Sequence, residues 1–123
     1  MIVEDEPLLA MSLVDIVHEL GHEAIECTDP ACALAVIERG EPVDVLLTDI
    51  NMPDMDGREL ARRLRRVRPR LPIVFATGYS NYKVPDPGDD RRARFIRKPF
   101  GPQEVAQALD SLELNGTGAD FSR

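Results

Sequence analysis

The sequence predicts an α/β fold in which helices cover both faces of a single parallel sheet. Three observations lead to this fold class. Apolar segments of strand length alternate along the chain with segments whose apolar residues recur at helical spacing. The most apolar strand segment, VDVLLT, has little polar interruption, which is typical of a strand buried on both faces. A chain of 123 residues also has the length of one domain with a substantial core.

The first half of the chain supplies three strands and two helices. A short strand, MIV, comes first, and apolar residues then recur at helical spacing over residues 7–20, where Gly21 ends the helix. The segment EAIEC is the second strand. Asp29 and Pro30 then provide an N-cap and a first helical residue, and Gly40 ends that helix. VDVLLT follows as the third strand.

The second half continues the alternation. A third helix ends before Pro69, and its inward-facing apolar residues are predicted to be Leu60, Leu64 and Val67. PIVFAT and RFIRK are the fourth and fifth strands. A last helix begins at about Pro102, and Asn115-Gly116 ends it. Strand–helix repetition of this kind requires parallel strands joined by crossover helices.

Charge is distributed unevenly along the chain. The net charge is −7, yet residues 1–57 carry −13 and residues 58–98 carry +9. We expect the arginines between Arg58 and Arg70 to coat the solvent face of the third helix, since charge runs are usually solvated. A nucleic-acid or other anionic partner is the alternative. The absence of interleaved aromatic residues and the acidic net charge argue against it.

The composition excludes several classes of protein. No apolar run approaches the length of a membrane span, and no signal-peptide pattern opens the chain, so no membrane role is expected. Cys27 and Cys32 lack the spacing of a CxxC site. We expect two free, unreactive thiols in the core of a cytoplasmic protein.

Polar and charged residues stand at the carboxyl ends of four of the predicted strands. Glu4 and Asp5 follow the first strand and Asp49 the third, while Thr77 ends the fourth and Lys98 the fifth. In a parallel sheet the carboxyl ends of the strands lie at one edge, where ligands bind. We therefore expect three carboxylates, a hydroxyl and an ammonium to converge there.

This set of side chains suits phosphoryl chemistry. Clustered carboxylates need a cation among them, and Mg²⁺ (or Mn²⁺) can take oxygens from Asp5, Asp49 and the backbone carbonyl of Asn51. Lys98 and Thr77 can then contact phosphoryl oxygens, while a carboxylate attacks phosphorus.

Two other aspartate-based sites fit the sequence less well. Counting from Asp49, a calcium loop of the EF-hand type needs glycine where Asp54 stands. A phosphatase with a DxD motif needs a second carboxylate where Asn51 stands, and this chain is also short for a substrate-closing cap.

The chain resembles the receiver domain of bacterial two-component response regulators, the CheY-like phosphoacceptor. The resemblance covers residues 1–114 and leaves 115–123 as an expected flexible tail. Four motifs in the family's order and spacing carry it: VEDE at 3–6, LLTDINMPDMDG at 46–57, FATG at 75–78 and KPF at 98–100. The FATGY ending of the fourth strand is similar to that of hybrid histidine kinase receivers and some single-domain stress-response receivers.

The resemblance implies a role for each matching residue. Asp49 would accept a phosphoryl group from the phosphohistidine of a sensor histidine kinase or a histidine phosphotransfer protein. Glu4 and Asp5 form the family's acidic pair, with Asp5 favoured as the direct metal ligand. Thr77 matches the residue that carries the family's switch hydroxyl. Thr77 and Lys98 together match the residues that contact the phosphoryl oxygens.

Further positions follow from the same resemblance. Phe95 matches the aromatic switch residue, and the peptide bond from Lys98 to Pro99 is commonly cis in this family. Asn51 and Tyr79 flank the phosphoryl site, where they would set the rate of dephosphorylation by admitting or blocking water.

The resemblance also refines the fold. It implies a flavodoxin-like, doubly wound five-stranded sheet with strand order 2-1-3-4-5. Most receivers have a fourth helix between strands four and five, but Pro85, Pro87 and Gly88 interrupt that stretch here. We expect a short, irregular or missing fourth helix over residues 81–92, mobile before phosphorylation and ordered after it.

The function implied is that of a signalling switch rather than a metabolic enzyme. Phosphorylation would reshape a surface that binds a downstream protein target. The alternatives are a pseudo-receiver that binds proteins constitutively, and a nucleic-acid-binding module that uses the helix between Arg58 and Arg70.

Overall fold

The computed structural model describes residues 1–78, 91–98 and 100–112. The strands are β1 (Ile2–Val3), β2 (Glu26–Cys27), β3 (Leu46–Asp49), β4 (Ile73–Thr77) and β5 (Ala93–Arg97). The helices in the described part of the chain are α1 (Pro7–Glu19), α2 (Pro30–Glu38), α3 (Gly57–Val67) and α4 (Pro102–Ser111). All pairings are parallel and the order is β2-β1-β3-β4-β5, which confirms the predicted sheet.

Two apolar layers sandwich the sheet. Successive residues of a strand point to opposite faces, so β3 sends Leu46 into one layer and Leu47 into the other. The Leu46 layer is covered by α2 and α3, and the Leu47 layer by α1 and α4. All four residues of β3 are buried, as expected of the central strand.

The predicted helix boundaries have identifiable causes. Asp29 Oδ1 accepts the Cys32 backbone N–H at 2.8 Å at the start of α2, and Asp56 Oδ1 accepts that of Arg58 at 2.7 Å at the start of α3. Beyond α1 the backbone reverses through Gly21, whose φ of 92° is costly for any residue with a Cβ.

The two cysteines correct a prediction. Cys27 and Cys32 are joined by a disulfide, so neither is a free thiol. The turn from β2 into α2 brings their Cα atoms to 5.5 Å, which is within disulfide range. Cys27 is buried as expected, whereas Cys32 is half-buried.

The third helix departs from its prediction at two residues. Leu60 and Leu64 are fully buried. Val67 is 57% exposed, because it is the last residue of α3 and lies beyond Leu64, the last α3 residue in the core. Arg65 does not simply coat the solvent face. Its guanidinium donates to the carbonyl oxygens of Leu71 and Arg92, each at 3.1 Å.

Several predictions fall outside the described residues. The irregular segment predicted for residues 81–92 lies there except for Arg91 and Arg92, which form a turn. Tyr79, Pro99 and the tail at 115–123 also lie outside. Among the described residues, no helix is long and apolar enough to cross a membrane.

The buried amino terminus predicts a pH dependence of stability. The Met1 ammonium donates to the Val45 carbonyl at 2.7 Å, and burial lowers its pKa from 8.0 to about 6, against the opposing effect of Asp44. Between these values the unfolded chain binds more protons than the folded one, so the free energy of unfolding should rise from pH 6 to pH 8. Two pKa units correspond to about 3 kcal/mol over the whole titration, of which about 2 kcal/mol falls between pH 6 and pH 8.

Urea denaturation across this pH range measures the effect. The matched control carries two extra residues before Met1, which move the titrating amine into solvent and leave a backbone N–H for Val45. An equal rise in the control would show that other groups cause the pH dependence.

Candidate functional site

Asp49 is the last residue of the central strand and occupies the carboxyl edge of the sheet. Its side chain is buried, with 6% exposure. One oxygen, Oδ1, accepts the backbone N–H of Asn51 at 3.3 Å, and the other, Oδ2, lies 3.2 Å from the Lys98 ammonium. A buried carboxylate with one directed partner on each oxygen has a fixed orientation, which a nucleophile needs.

Glu4 and Lys98 form the second ion pair at this edge, between a buried carboxylate and a half-buried ammonium. Lys98 Nζ lies 3.3 Å from Glu4 Oε1, and Glu4 Oε2 accepts the backbone N–H of Glu6 at 3.1 Å. Burial raises the pKa of the Glu4 carboxyl above its usual value, while the Glu6 amide and the Lys98 ammonium oppose this rise. Lys98 is therefore shared between two buried carboxylates.

Asp5 completes a cluster of three carboxylates. Oxygens of Glu4, Asp5 and Asp49 lie within 4.8 Å of one another, and Asp5 is exposed whereas the other two are buried. With Lys98 counted, the cluster has a formal charge of −2, which matches a divalent cation. Hard oxygen donors at this spacing fit Mg²⁺. Asp5 is the exposed member of the cluster, whereas each oxygen of Glu4 and of Asp49 already has a partner.

Thr77 and Lys98 are held beside each other by the backbone. Thr77, 1% exposed, ends β4, and its carbonyl oxygen accepts the Lys98 N–H at 2.7 Å. Gly78 lies against the same lysine, since a Cβ there would make an ordinary contact of 3.7 Å with Lys98 Cδ. The four predicted strand ends therefore do meet at one edge.

Phe95 is the middle residue of β5, three residues before Lys98, and it is half-buried. Its ring stacks on that of Phe75, its register partner in β4, with centroids 4.9 Å apart. Phe75 and Thr77 are two residues apart on one strand, so they share a face of the sheet. The sequence did not reveal the Phe75 contact, because it depends on the register of two strands that are distant in sequence.

The predicted residues that flank the site are described only in part. Asn51 is exposed, and its backbone N–H donates to Asp49 Oδ1 at 3.3 Å. Tyr79 and Pro99 lie outside the described residues.

Gly57 fixes the loop that carries Asp49. Its N–H donates to the Ile50 carbonyl at 2.8 Å, which closes the loop between β3 and α3. A Cβ at Gly57 would lie 2.2 Å from the Asp49 carbonyl oxygen. This close approach to the backbone explains why no side chain fits at Gly57, and the sequence alone does not reveal it.

Replacing Gly57 by alanine should therefore destabilise the fold by about 2–3 kcal/mol, because backbone must move to admit the methyl group. Chemical denaturation measures this loss. Gly101→Ala is the matched control, since its Cβ would meet only the flexible end of Glu104 at 3.4 Å. Equal losses in both variants would contradict the close-contact explanation.

Known proteins are similar in sequence to this chain over nearly its whole length. The family model for the response regulator receiver domain matches residues 1–110. The response regulator receiver protein CpdR of Brucella abortus is 33% identical over 113 residues, covering 91% of this chain and 93% of CpdR. The sensor kinase CckA of the same organism is 30% identical over 117 residues, but the match covers only 12% of that protein.

Solved structures show the same fold. The receiver domain of the hybrid histidine kinase CckA superposes with a TM-score of 0.75 at 25% identity, covering 91% of this chain and 96% of that one. The response regulator TrrA of Thermotoga maritima, solved in complex with Mg²⁺-BeF, gives 0.76 at 26% identity with the same coverage. Sequence and fold agree, and this chain belongs to the response regulator receiver domain family.

Proposed function

We propose that this receiver domain works in phosphorelay signal transduction by taking a phosphoryl group onto Asp49. The observation that carries the proposal is the shared lysine: Lys98 lies 3.2 Å from Asp49 Oδ2 and 3.3 Å from Glu4 Oε1. Asp49 is held in place by this contact and by the Asn51 amide. A carboxylate that is fixed, buried and flanked by a cation is prepared for covalent catalysis.

In the transfer, one Asp49 oxygen forms a bond to phosphorus while the bond from phosphorus to the donor histidine nitrogen breaks. The departing imidazole keeps the electron pair of that bond. Lys98 can then move from Asp49 Oδ2 to a phosphoryl oxygen without crossing the site, and the Thr77 hydroxyl is our candidate donor to another. Asn51 keeps the aspartate oriented through its backbone N–H.

Asp5 and Asp49 would hold a divalent cation, Mg²⁺ or Mn²⁺, with the Asn51 carbonyl as a third protein ligand. When bound, the cation neutralises charge on the transferring phosphoryl oxygens. Glu4 would hold Lys98 in position rather than coordinate directly, because it is the most deeply buried of the three carboxylates and one of its oxygens contacts the lysine.

Phosphorylation would act on the protein's surface through Thr77 and Phe95. The added group carries about −1.5 to −2 charges, which attract donors around it. Thr77 lies on the sheet face of Phe75, against which the Phe95 ring stacks. A shift of Thr77 toward the phosphoryl group would change the packing of Phe95, and we propose that this change alters the surface read by a downstream protein target.

The donor would be a sensor histidine kinase or a histidine phosphotransfer protein in the cytoplasm. CckA is a sensor kinase, and RcsC of Salmonella typhimurium, a sensor histidine kinase, is 35% identical over 77 residues, which cover 63% of this chain and 8% of RcsC. The chain itself would be a phosphoacceptor that assists its own phosphorylation and dephosphorylation, not a metabolic enzyme. Asn51 and Tyr79 remain our proposed determinants of the dephosphorylation rate.

Incubation with radiolabelled acetyl phosphate tests the proposal. The protein should take up label when Mg²⁺ is present and lose that ability in Asp49→Asn, whose far-ultraviolet circular dichroism should be unchanged. A pseudo-receiver, which would bind its partners constitutively, would take up no label in either form.

A further inference from the structure

The disulfide between Cys27 and Cys32 lies next to the acidic cluster. Cys27 ends β2, and its carbonyl oxygen accepts the Glu4 backbone N–H at 3.0 Å. Cys32 lies in the first turn of α2, where Asp29 caps its N–H. The sulfur–sulfur bond therefore ties the end of an edge strand, which supports Glu4, to the start of the next helix.

The pair is placed for exchange with external thiols. Cys27 is 1% exposed, whereas Cys32 is half-buried, so Cys32 is the more accessible end of the bond for an attacking thiolate. The loop that the bond closes spans a separation of only five residues, so it constrains the unfolded chain little and is a weak structural staple. In a reducing compartment, disulfides are usually transient and redox-active.

β2 depends on this bond more than a longer strand would. It has two residues and pairs only with β1, at the outer edge of the sheet. Once the bond is broken, the turn between β2 and α2 loses its only covalent closure, and the Cys27 carbonyl that supports Glu4 is held by the short ladder alone. Glu4 in turn positions Lys98.

We propose that Cys27 and Cys32 form a reversible redox-modification site that tunes the cation affinity of the acidic cluster through Glu4. The reductant is a dithiol. Its thiolate attacks Cys32 Sγ, the bond to Cys27 Sγ breaks, and Cys27 leaves as a thiolate that takes a proton. The second thiol of the reductant then attacks the mixed disulfide and releases Cys32 as a thiol. The reductant becomes a disulfide, and the reverse exchange reoxidises the pair.

Thiol counting tests the site itself. The chain has two cysteines, so alkylation in denaturant should label neither in the oxidised protein and both after dithiothreitol. Single variants test the direction of attack: the lone Cys32 of Cys27→Ser should react with a small aromatic disulfide much faster than the lone Cys27 of Cys32→Ser. Two free thiols after incubation with oxidised dithiothreitol, or equal rates in the variants, would overturn the assignment.

Two measurements test the coupling to Glu4 without using phosphorylation, so failure here is distinct from failure of the proposed function. Reduction should speed hydrogen exchange at the Glu4 amide about tenfold, since its acceptor loosens, and leave Val105 in α4 unchanged. Calorimetry should show Mg²⁺ binding weakened severalfold by reduction in the native chain and insensitive to dithiothreitol in Cys32→Ser. An unchanged Glu4 exchange rate, or unchanged Mg²⁺ affinity, would overturn the proposed coupling.

Discussion

Replacing Lys98 by methionine is expected to destabilise the fold by about 3–5 kcal/mol at pH 7, because it leaves buried carboxylates without their cation. Lys98 is the ammonium within 3.3 Å of both Glu4 and Asp49, whose exposures are 2% and 6%. Two facing anions in a site with little solvent repel each other strongly. Urea denaturation of the variant and the unmodified chain measures the loss.

The loss should depend on pH in a defined direction. Burial already raises the pKa of Glu4 above 4.5, and Lys98 opposes that rise, so removing the lysine raises the pKa further. A group whose pKa is raised by folding favours the folded state at low pH and loses that contribution as pH rises through the folded value. The variant should therefore lose less stability at pH 5 than at pH 7.

Magnesium and a conservative variant provide the controls for Lys98. Millimolar Mg²⁺ should restore part of the lost stability in Lys98→Met, since binding to the folded state alone stabilises it. Lys98→Arg keeps the charge and should lose less stability. A pH-independent loss that Mg²⁺ does not reduce would show that Lys98 acts through packing of its carbon chain.

Replacing Asp5 by asparagine is expected to abolish most metal-dependent phosphorylation with little effect on stability. Asp5 is exposed, so its charge makes a small contribution to folding, yet it lies in the cluster with Glu4 and Asp49. Loss of groups that only orient a metal ligand costs 10–100-fold in affinity, so loss of a direct ligand should exceed about 100-fold. Calorimetric Mg²⁺ titration and acetyl phosphate labelling measure the two effects.

Glu6→Gln is the matched control for Asp5→Asn. Glu6 is the adjacent exposed acid and lies outside the carboxylate cluster, although its backbone N–H supports Glu4. Its substitution removes the same charge from the same loop. If both variants lost affinity equally, the effect would come from the overall field of the loop and Asp5 would not be a ligand.

Much of this architecture could be predicted because it depends on local pattern. Alternating strand and helix segments require a parallel sheet, and a parallel sheet brings its strand ends to one edge. Asp49, Thr77 and Lys98 could therefore be grouped before any coordinates were known. The matching motifs supplied the strand order and the proposed roles.

The errors involve distances that local pattern does not fix. Cys27 and Cys32 form a disulfide because the turn between β2 and α2 brings their Cα atoms to 5.5 Å. Their separation of five residues in the sequence does not by itself predict this distance. Strand β2 is shorter than the segment EAIEC because β1 offers it only two partners, Ile2 and Val3. Val67 keeps helical spacing but lies past the end of the core.

The central claim is that Asp49, and no neighbouring acid, accepts the phosphoryl group. Borohydride reduction of the phosphorylated protein, followed by peptide mass spectrometry, identifies the acyl phosphate by converting its residue to a reduced alcohol. We predict this conversion at Asp49 alone, and only in samples phosphorylated with Mg²⁺ present. Conversion at Asp5, Asp54 or Asp56 in place of Asp49 would contradict the account.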